Sequence, residues 1–280
     1  MHQAVDDSLK LANAHYENFP VASVLLPMRL RRPIGLIYAF ARNADDFADE
    51  GELLPEQRLA LLDGYRRQLD RIGAGKTPDD PLFIALAGII QQYGLPLQLF
   101  HDLLDAFSQD VVKTRYENLG EVMDYCRRSA NPVGRLLLHL YGETDERNLA
   151  YSDAICSALQ IINFLQDVAI DYRKNRIYLP QDDLRKFHIA EQQIAAGDPG
   201  GAWWPLMQFE IERTRRLLQA GAPLGLALKG RIGLEMRSII AGGETILRKL
   251  HRSHGDMFNH RPVLRPWDWA YMMYRAVRAK

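Results

Sequence analysis

The stretch from Asp145 to Tyr172 constrains this chain more than any other. It reads as one long helix, with the polar residues of GETDERN available to cap its start. Ile155, Ala158, Leu159, Ile161, Ile162, Leu165, Val168 and Ala169 make it apolar on most sides. Such a helix belongs at the centre of a fold. Yet Asn163, Asp167 and Asp171 follow one another at four-residue steps, with Gln160 one turn earlier, and form a slowly drifting polar stripe. Carboxylates on a central helix are costly unless paired or bound to a cation. The alternative is an exposed edge carrying ordinary polar residues.

A central helix needs helical partners, and the remaining periodicity supplies them. Ile34 to Ala48 follows Pro33, which suits a first helical turn. Pro55 to Ile72 repeats apolar residues at three- and four-residue steps until GAGKTPDDP breaks it. Leu82 to Gln92, Leu97 to Gln109, Glu121 to Ala130 and Val133 to Tyr141 are further helices, the last two parted by Asn131-Pro132. After Pro180 come DDLRKF, Glu191 to Ala196 and the turn GDPGGAWWP. Phe209 to Gln219, Ile232 to His251 and the terminal WDWAYMMYRAVRAK complete the set. No run of alternating β-branched residues competes. The expectation is a single all-α domain over residues 1–280, with a second small domain from about Gly221 open but not required.

A second acidic motif lies in RNADDFADE, Arg42 to Glu50. Asp45 and Asp49 stand four residues apart, so a helix puts both carboxylates on one face; Asp46 and Glu50 form a similar pair. Like charges at this spacing cost a helix roughly 0.2–0.5 kcal/mol per pair. With 35 Lys+Arg against 35 Asp+Glu, the chain has no general acidic bias to explain them. Alone, the motif reads equally well as a solvated helix end. Together, two oxygen-rich stripes facing a common core suit Mg²⁺, which takes one or two carboxylates plus substrate phosphates. Zinc would want His or Cys, which neither motif offers. Arg29, Arg31, Arg32 and Arg42 flank the first motif, and Arg173, Lys174 and Arg176 follow the second. Cations beside carboxylates in an apolar helical domain suggest a diphosphate carried by a greasy substrate.

Composition narrows the alternatives. A zero formal charge argues against nucleic acid as a partner. Cys126 and Cys156 show no metal-ligand spacing and read as small buried hydrophobes, in keeping with a reducing cytoplasm. The first residues lack a basic start followed by an apolar run, and no uninterrupted apolar stretch approaches a membrane span. The last helix, with aromatics on one side and Arg275, Arg278 and Lys280 near its end, either packs on the bundle or rests on a membrane interface, peripheral to the inner membrane.

Five blocks in order, HYENFPVAS (His15 to Ser23), YAFARNADDFADE (Tyr38 to Glu50), DVVKTRY (Asp110 to Tyr116), YCRRSANPVG (Tyr125 to Gly134) and QIINFLQDVAIDYRKNRIYLP (Gln160 to Pro180), resemble the squalene/phytoene synthase family. The resemblance spans nearly the full length. It implies an isoprenoid-synthase helical bundle with a central active-site cavity. It implies Mg²⁺ and diphosphate at Asp45, Asp49, Asn163, Asp167 and Asp171. It also implies a prenyl diphosphate substrate lined or held by His15, Phe19, Tyr38, Arg42, Tyr125, Ala130, Asn131, Gly134, Gln160 and Gln166.

Within the family, ENFPVAS with INFLQDVA looks most like the bacterial hopanoid branch that makes hydroxysqualene. Family members typically carry Ser at Asn18 and Arg at Gln166, and a pocket Tyr is replaced around Gly243. The lost arginine suggests a weaker grip on a second diphosphate, which fits presqualene diphosphate, a substrate with only one. A presqualene diphosphate synthase would hand it over. Asp45, Asp49, Arg42, Tyr38, Tyr125 and Asn18 are the expected catalytic set, with Phe19, Phe164 and the two tyrosines facing a carbocation. Asn18, Asn131 or Gln166 would position the capturing water. The rival readings are head-to-head condensation of two farnesyl diphosphates and a non-catalytic isoprenoid-binding protein.

Overall fold

The computed structural model describes residues 26–278, and among them every regular element is a helix. These are α1 (Met28–Asp49), α2 (Pro55–Gly73), α3 (Pro81–Tyr93), α4 (Leu97–Val112), α5 (Leu119–Ser129), α6 (Asn131–Tyr141) and α7 (Glu146–Arg173). They continue as α8 (Gln181–Lys186), α9 (Glu191–Ala196), α10 (Trp203–Gly221), α11 (Leu224–Ala227), α12 (Gly230–Arg252) and α13 (Pro266–Arg278). A single bridge between Arg115 and Ile177 is the strand-like pairing among the described residues.

Two helix starts fall six residues ahead of the sequence expectation. α1 begins at Met28, so Pro33 lies inside the helix instead of opening it. The partner that the missing N–H leaves over is the carbonyl of Arg29, an exposed residue where water can take its place. α10 begins at Trp203, six residues before the expected Phe209. Pro205 falls within its first turn, where no N–H is needed, so it does not act as a breaker.

The chain forms two compact units. One comprises the residues up to Val112 with Arg128–Leu149, and the other Lys113–Arg127 with Ala150 onward. Their boundaries do not fall near Gly221. In the first unit α1 packs on α2, α3, α4 and α6, and α4 packs on α2 and α6. Phe40 of α1 is fully buried and centres an aromatic cluster with Tyr65, Phe83 and Phe100 at ring-centroid distances of 5.6, 5.8 and 5.2 Å. Edge-on and offset rings of this kind add roughly 0.5–1.5 kcal/mol per pair to their burial.

In the second unit α12 packs on α10, α11 and α13. Glycines let its helices approach closely: a Cβ on Gly221 of α10 would stand 2.5 Å from the carbonyl oxygen of Tyr151 on α7. Trp203 is fully buried and donates from Nε1 to the Gly255 carbonyl at 2.8 Å. Cys126 is buried and desolvation pushes its thiol up to about 12, whereas Cys156 is only half-buried. Among the described residues α7 is long and apolar enough to cross a membrane, yet half of its most apolar window is buried, as in a core helix.

Candidate active site

The first acidic motif occupies the C-terminal half of α1, in the first unit. Carboxylates near a helix C-terminus oppose the macrodipole, and α1 has no basic residue in its last turn. Two arginines compensate. Arg42 reaches forward along its own helix to Asp46 at 2.8 Å and Asp45 at 3.4 Å. Arg58 of α2 donates to the carbonyls of Phe47, Glu50, Gly51 and Leu53, closing the end of α1 with charge of the right sign. Tyr38 lies one turn before Arg42 and is half-buried, as are Asp45 and Asp49. This helix face therefore presents a phenol, a guanidinium and two aspartates in sequence. α6 packs on α1 and carries Asn131 and Gly134, both buried; Ala130, just before it, is buried too.

The second motif lies on α7, in the second unit. Gln160, Asp167 and Asp171 are half-buried, while Asn163 is exposed. Asp167 is gripped by Arg261: Nε donates to Oδ1, and Nη2 donates to Oδ2 at 3.0 Å. That forked, charge-assisted contact holds the Arg261 proton more tightly than usual. The neighbouring Gln166 is 1% exposed, and its Nε2 donates to the Pro262 carbonyl at 2.7 Å. Adjacent residues of α7 thus clasp adjacent residues of the segment between α12 and α13. Gln166 meets that segment through its Nε2 donor.

Beside the stripe, the aromatics Phe164, Tyr178, Tyr125 and Tyr116 form one cluster. Phe164 and Tyr178 stack in parallel at 3.8 Å, and Tyr125 lies 5.9 Å from Phe164 and 5.6 Å from Tyr116. All four are buried. Gly243 of α12 sits where a Cβ would be 3.0 Å from Leu159 and 3.1 Å from both Ile162 and Leu218. Helix packing fills that position, and a tyrosine has no room there.

The structure thus gathers Tyr38, Arg42, Asp45 and Asp49 on α1, with Ala130, Asn131 and Gly134 in the same unit. It gathers Gln160, Asn163, Asp167 and Asp171 on α7, with Tyr125 in that unit. His15, Asn18 and Phe19 lie outside the described residues. Sequence reasoning missed Arg58, Arg261 and Tyr178. Arg261 is 94 residues from its aspartate, so nothing local announces it. Tyr178 stands inside a recognisable block but carries no pattern of its own.

Among the described residues no three His, Cys, Asp or Glu side chains come together as a self-sufficient metal site. The donors are carboxylates and one amide, all hard oxygen ligands and few in number. That chemistry fits Mg²⁺, which completes its shell with water and substrate phosphates. It does not fit a metal that relies on imidazole or thiolate.

The squalene/phytoene synthase profile matches residues 12–268. A hydroxysqualene synthase of Rhodopseudomonas palustris is 38% identical over 94% of this chain and 89% of its own length. Another, from Zymomonas mobilis, is 41% identical over 80% of this chain and 75% of its own. A phytoene synthase of Mycobacterium tuberculosis is 34% identical over 70% of this chain and 65% of its own. Among solved structures, the squalene synthase HpnC of Alicyclobacillus acidocaldarius superimposes with a TM-score of 0.81 at 34% identity, covering 90% of this chain and 95% of that one. A dehydrosqualene synthase reaches a TM-score of 0.88 at 22% identity, covering 99% and 96%. The all-α architecture is that of these helical isoprenoid synthases.

Proposed function

Since this chain belongs to the squalene/phytoene synthase family, whose members act on prenyl diphosphates, we propose that it converts presqualene diphosphate to hydroxysqualene and diphosphate. That would make it a carbon–oxygen lyase acting on phosphates, placed after a head-to-head condensation that supplies its substrate in hopanoid formation. The carrying observation is the match, over nearly the whole chain, to a relative named for that product.

Asp45, Asp49, Asn163, Asp167 and Asp171 would hold Mg²⁺ with the diphosphate. When bound, the ion supplies Lewis-acid charge that stabilises the leaving group. Arg42 already lies over Asp45 and Asp46, so its guanidinium is in place to turn towards the departing oxygens. Ionisation leaves a cyclopropylcarbinyl cation, which must rearrange before water arrives. Tyr125, Phe164 and Tyr178 offer π faces, each worth roughly 0.5–2 kcal/mol to a desolvated cation. Three amides are expected to position the water, of which Gln166 donates from Nε2 to the Pro262 carbonyl and Asn131 is buried at the start of α6. We assign that task to one or more of Asn18, Asn131 and Gln166.

A second reading, head-to-head condensation of farnesyl diphosphate, is favoured by the phytoene synthase match. Product analysis separates the two. Purified protein with Mg²⁺ and no reductant is incubated with presqualene diphosphate and with farnesyl diphosphate in separate tubes. Hydroxysqualene from the first and nothing from the second is the expected result. Presqualene diphosphate made from farnesyl diphosphate would overturn the proposal in favour of condensation.

A further inference from the structure

α13 packs on α12 through one face, where Asp268, Met272 and Ala276 are buried and Arg237 donates to the Ala276 carbonyl at 2.6 Å. Among the described residues of the second unit the opposite face has no cover. Trp267 is 62% exposed, Tyr271 40%, Tyr274 55% and Val277 66%. The three aromatics recur at four- and three-residue steps and form one stripe, and Val277 continues it. An exposed tryptophan and two exposed tyrosines along one helix face amount to a contiguous apolar patch, which marks an interaction surface.

The charge around the stripe identifies what it fits. Arg265 lies 5.4 Å from the Trp267 ring, Arg248 lies 4.9 Å from Tyr271, and Arg278 lies 5.2 Å from Tyr274. Arg275 lies on the same helix within reach of the Tyr271 hydroxyl. The sole acid of α13, Asp268, is buried and neutralised by Lys249, so the exposed face carries positive charge with no carboxylate. In a chain with zero formal charge, that local excess is concentrated here. Beside it, Lys249, His260, Arg265 and Trp267 line an open cavity of about 290 Å³. Amphipathic aromatic rings ringed by arginines match the headgroup layer of an anionic bilayer: rings enter the interface, guanidinium groups meet phosphates.

We propose that the exposed face of α13 docks this protein on anionic phospholipid membrane surfaces. The inference rests on that helix face and the basic residues around it, and is independent of the reaction catalysed. Its test is flotation of the full chain with phosphatidylcholine vesicles, with and without phosphatidylglycerol. Binding should be at least about tenfold stronger to the anionic vesicles and fall with added salt, because each basic residue near such a surface strengthens adsorption about fivefold. The double variants Trp267→Ser/Tyr274→Ser and Arg275→Glu/Arg278→Glu should each lose flotation while keeping the native melting temperature. Failure of the native chain to float, equal binding to neutral vesicles, or undiminished binding by both variants would overturn the proposal. So would a concentration-dependent dimer that the same substitutions abolish, since a second copy would then be the occupant.

Discussion

Arg261 and Asp167 form a forked ion pair on the second acidic stripe, so a metal approaching Asp167 meets a resident cation. Arg261→Gln removes that competitor. Hydrogen bonds to charged groups contribute about 1.5–3 kcal/mol, so Mg²⁺ should bind the variant roughly ten- to a hundredfold more tightly without substrate. Titration calorimetry reads this directly, and an unchanged affinity would detach Arg261 from the metal question. A different residue controls stability. Burial pushes the Glu210 carboxyl up to about 7, against the pull of Arg213, with Asp183 adding repulsion. The folded chain therefore keeps a proton that the unfolded chain loses above about 4.5. Stability should fall as pH rises between those two values and level off above them, by on the order of 3 kcal/mol in all. Glu210→Gln should flatten that slope in melting curves taken at about pH 5 and about pH 8. A slope as steep as the native one would contradict the assignment.

At the scale of elements, the meeting of α12 with α7 and α10 is set by Gly243. Gly243→Leu forces side chains against Leu159, Ile162 and Leu218 and should cost ~1–3 kcal/mol in urea unfolding. An unmoved midpoint would mean that the helices can separate freely there. That contact also shows how far the sequence could be read. The periodicity predicts α7 over Asp145 to Tyr172 and the helix runs Glu146–Arg173, because twenty-odd residues of periodicity average over local accidents. The short α11 escaped, since four residues carry too little pattern to register. Both acidic motifs were visible as repeats within a single helix. Arg58, Arg261 and Tyr178 were not, because each reaches its partner only after the chain has folded back. The sequence marks Gly243 only as a missing tyrosine, because the packing that excludes one belongs to three helices at once.

At the scale of the whole molecule, each compact unit carries one acidic stripe and one arginine laid across it. In both cases the chain neutralises its own carboxylates with a cation that a diphosphate can also engage. This arrangement suits the proposed reaction, which begins by drawing negative charge away from a lipid carbon. The proposal that the resulting cation is captured by water is tested most directly by turnover of presqualene diphosphate in oxygen-18 water with Mg²⁺. The expected hydroxysqualene carries the heavy oxygen, because its hydroxyl comes from solvent after the carbon–oxygen bond has broken. An alcohol without the label would mean that the original carbon–oxygen bond survived, and would contradict the account.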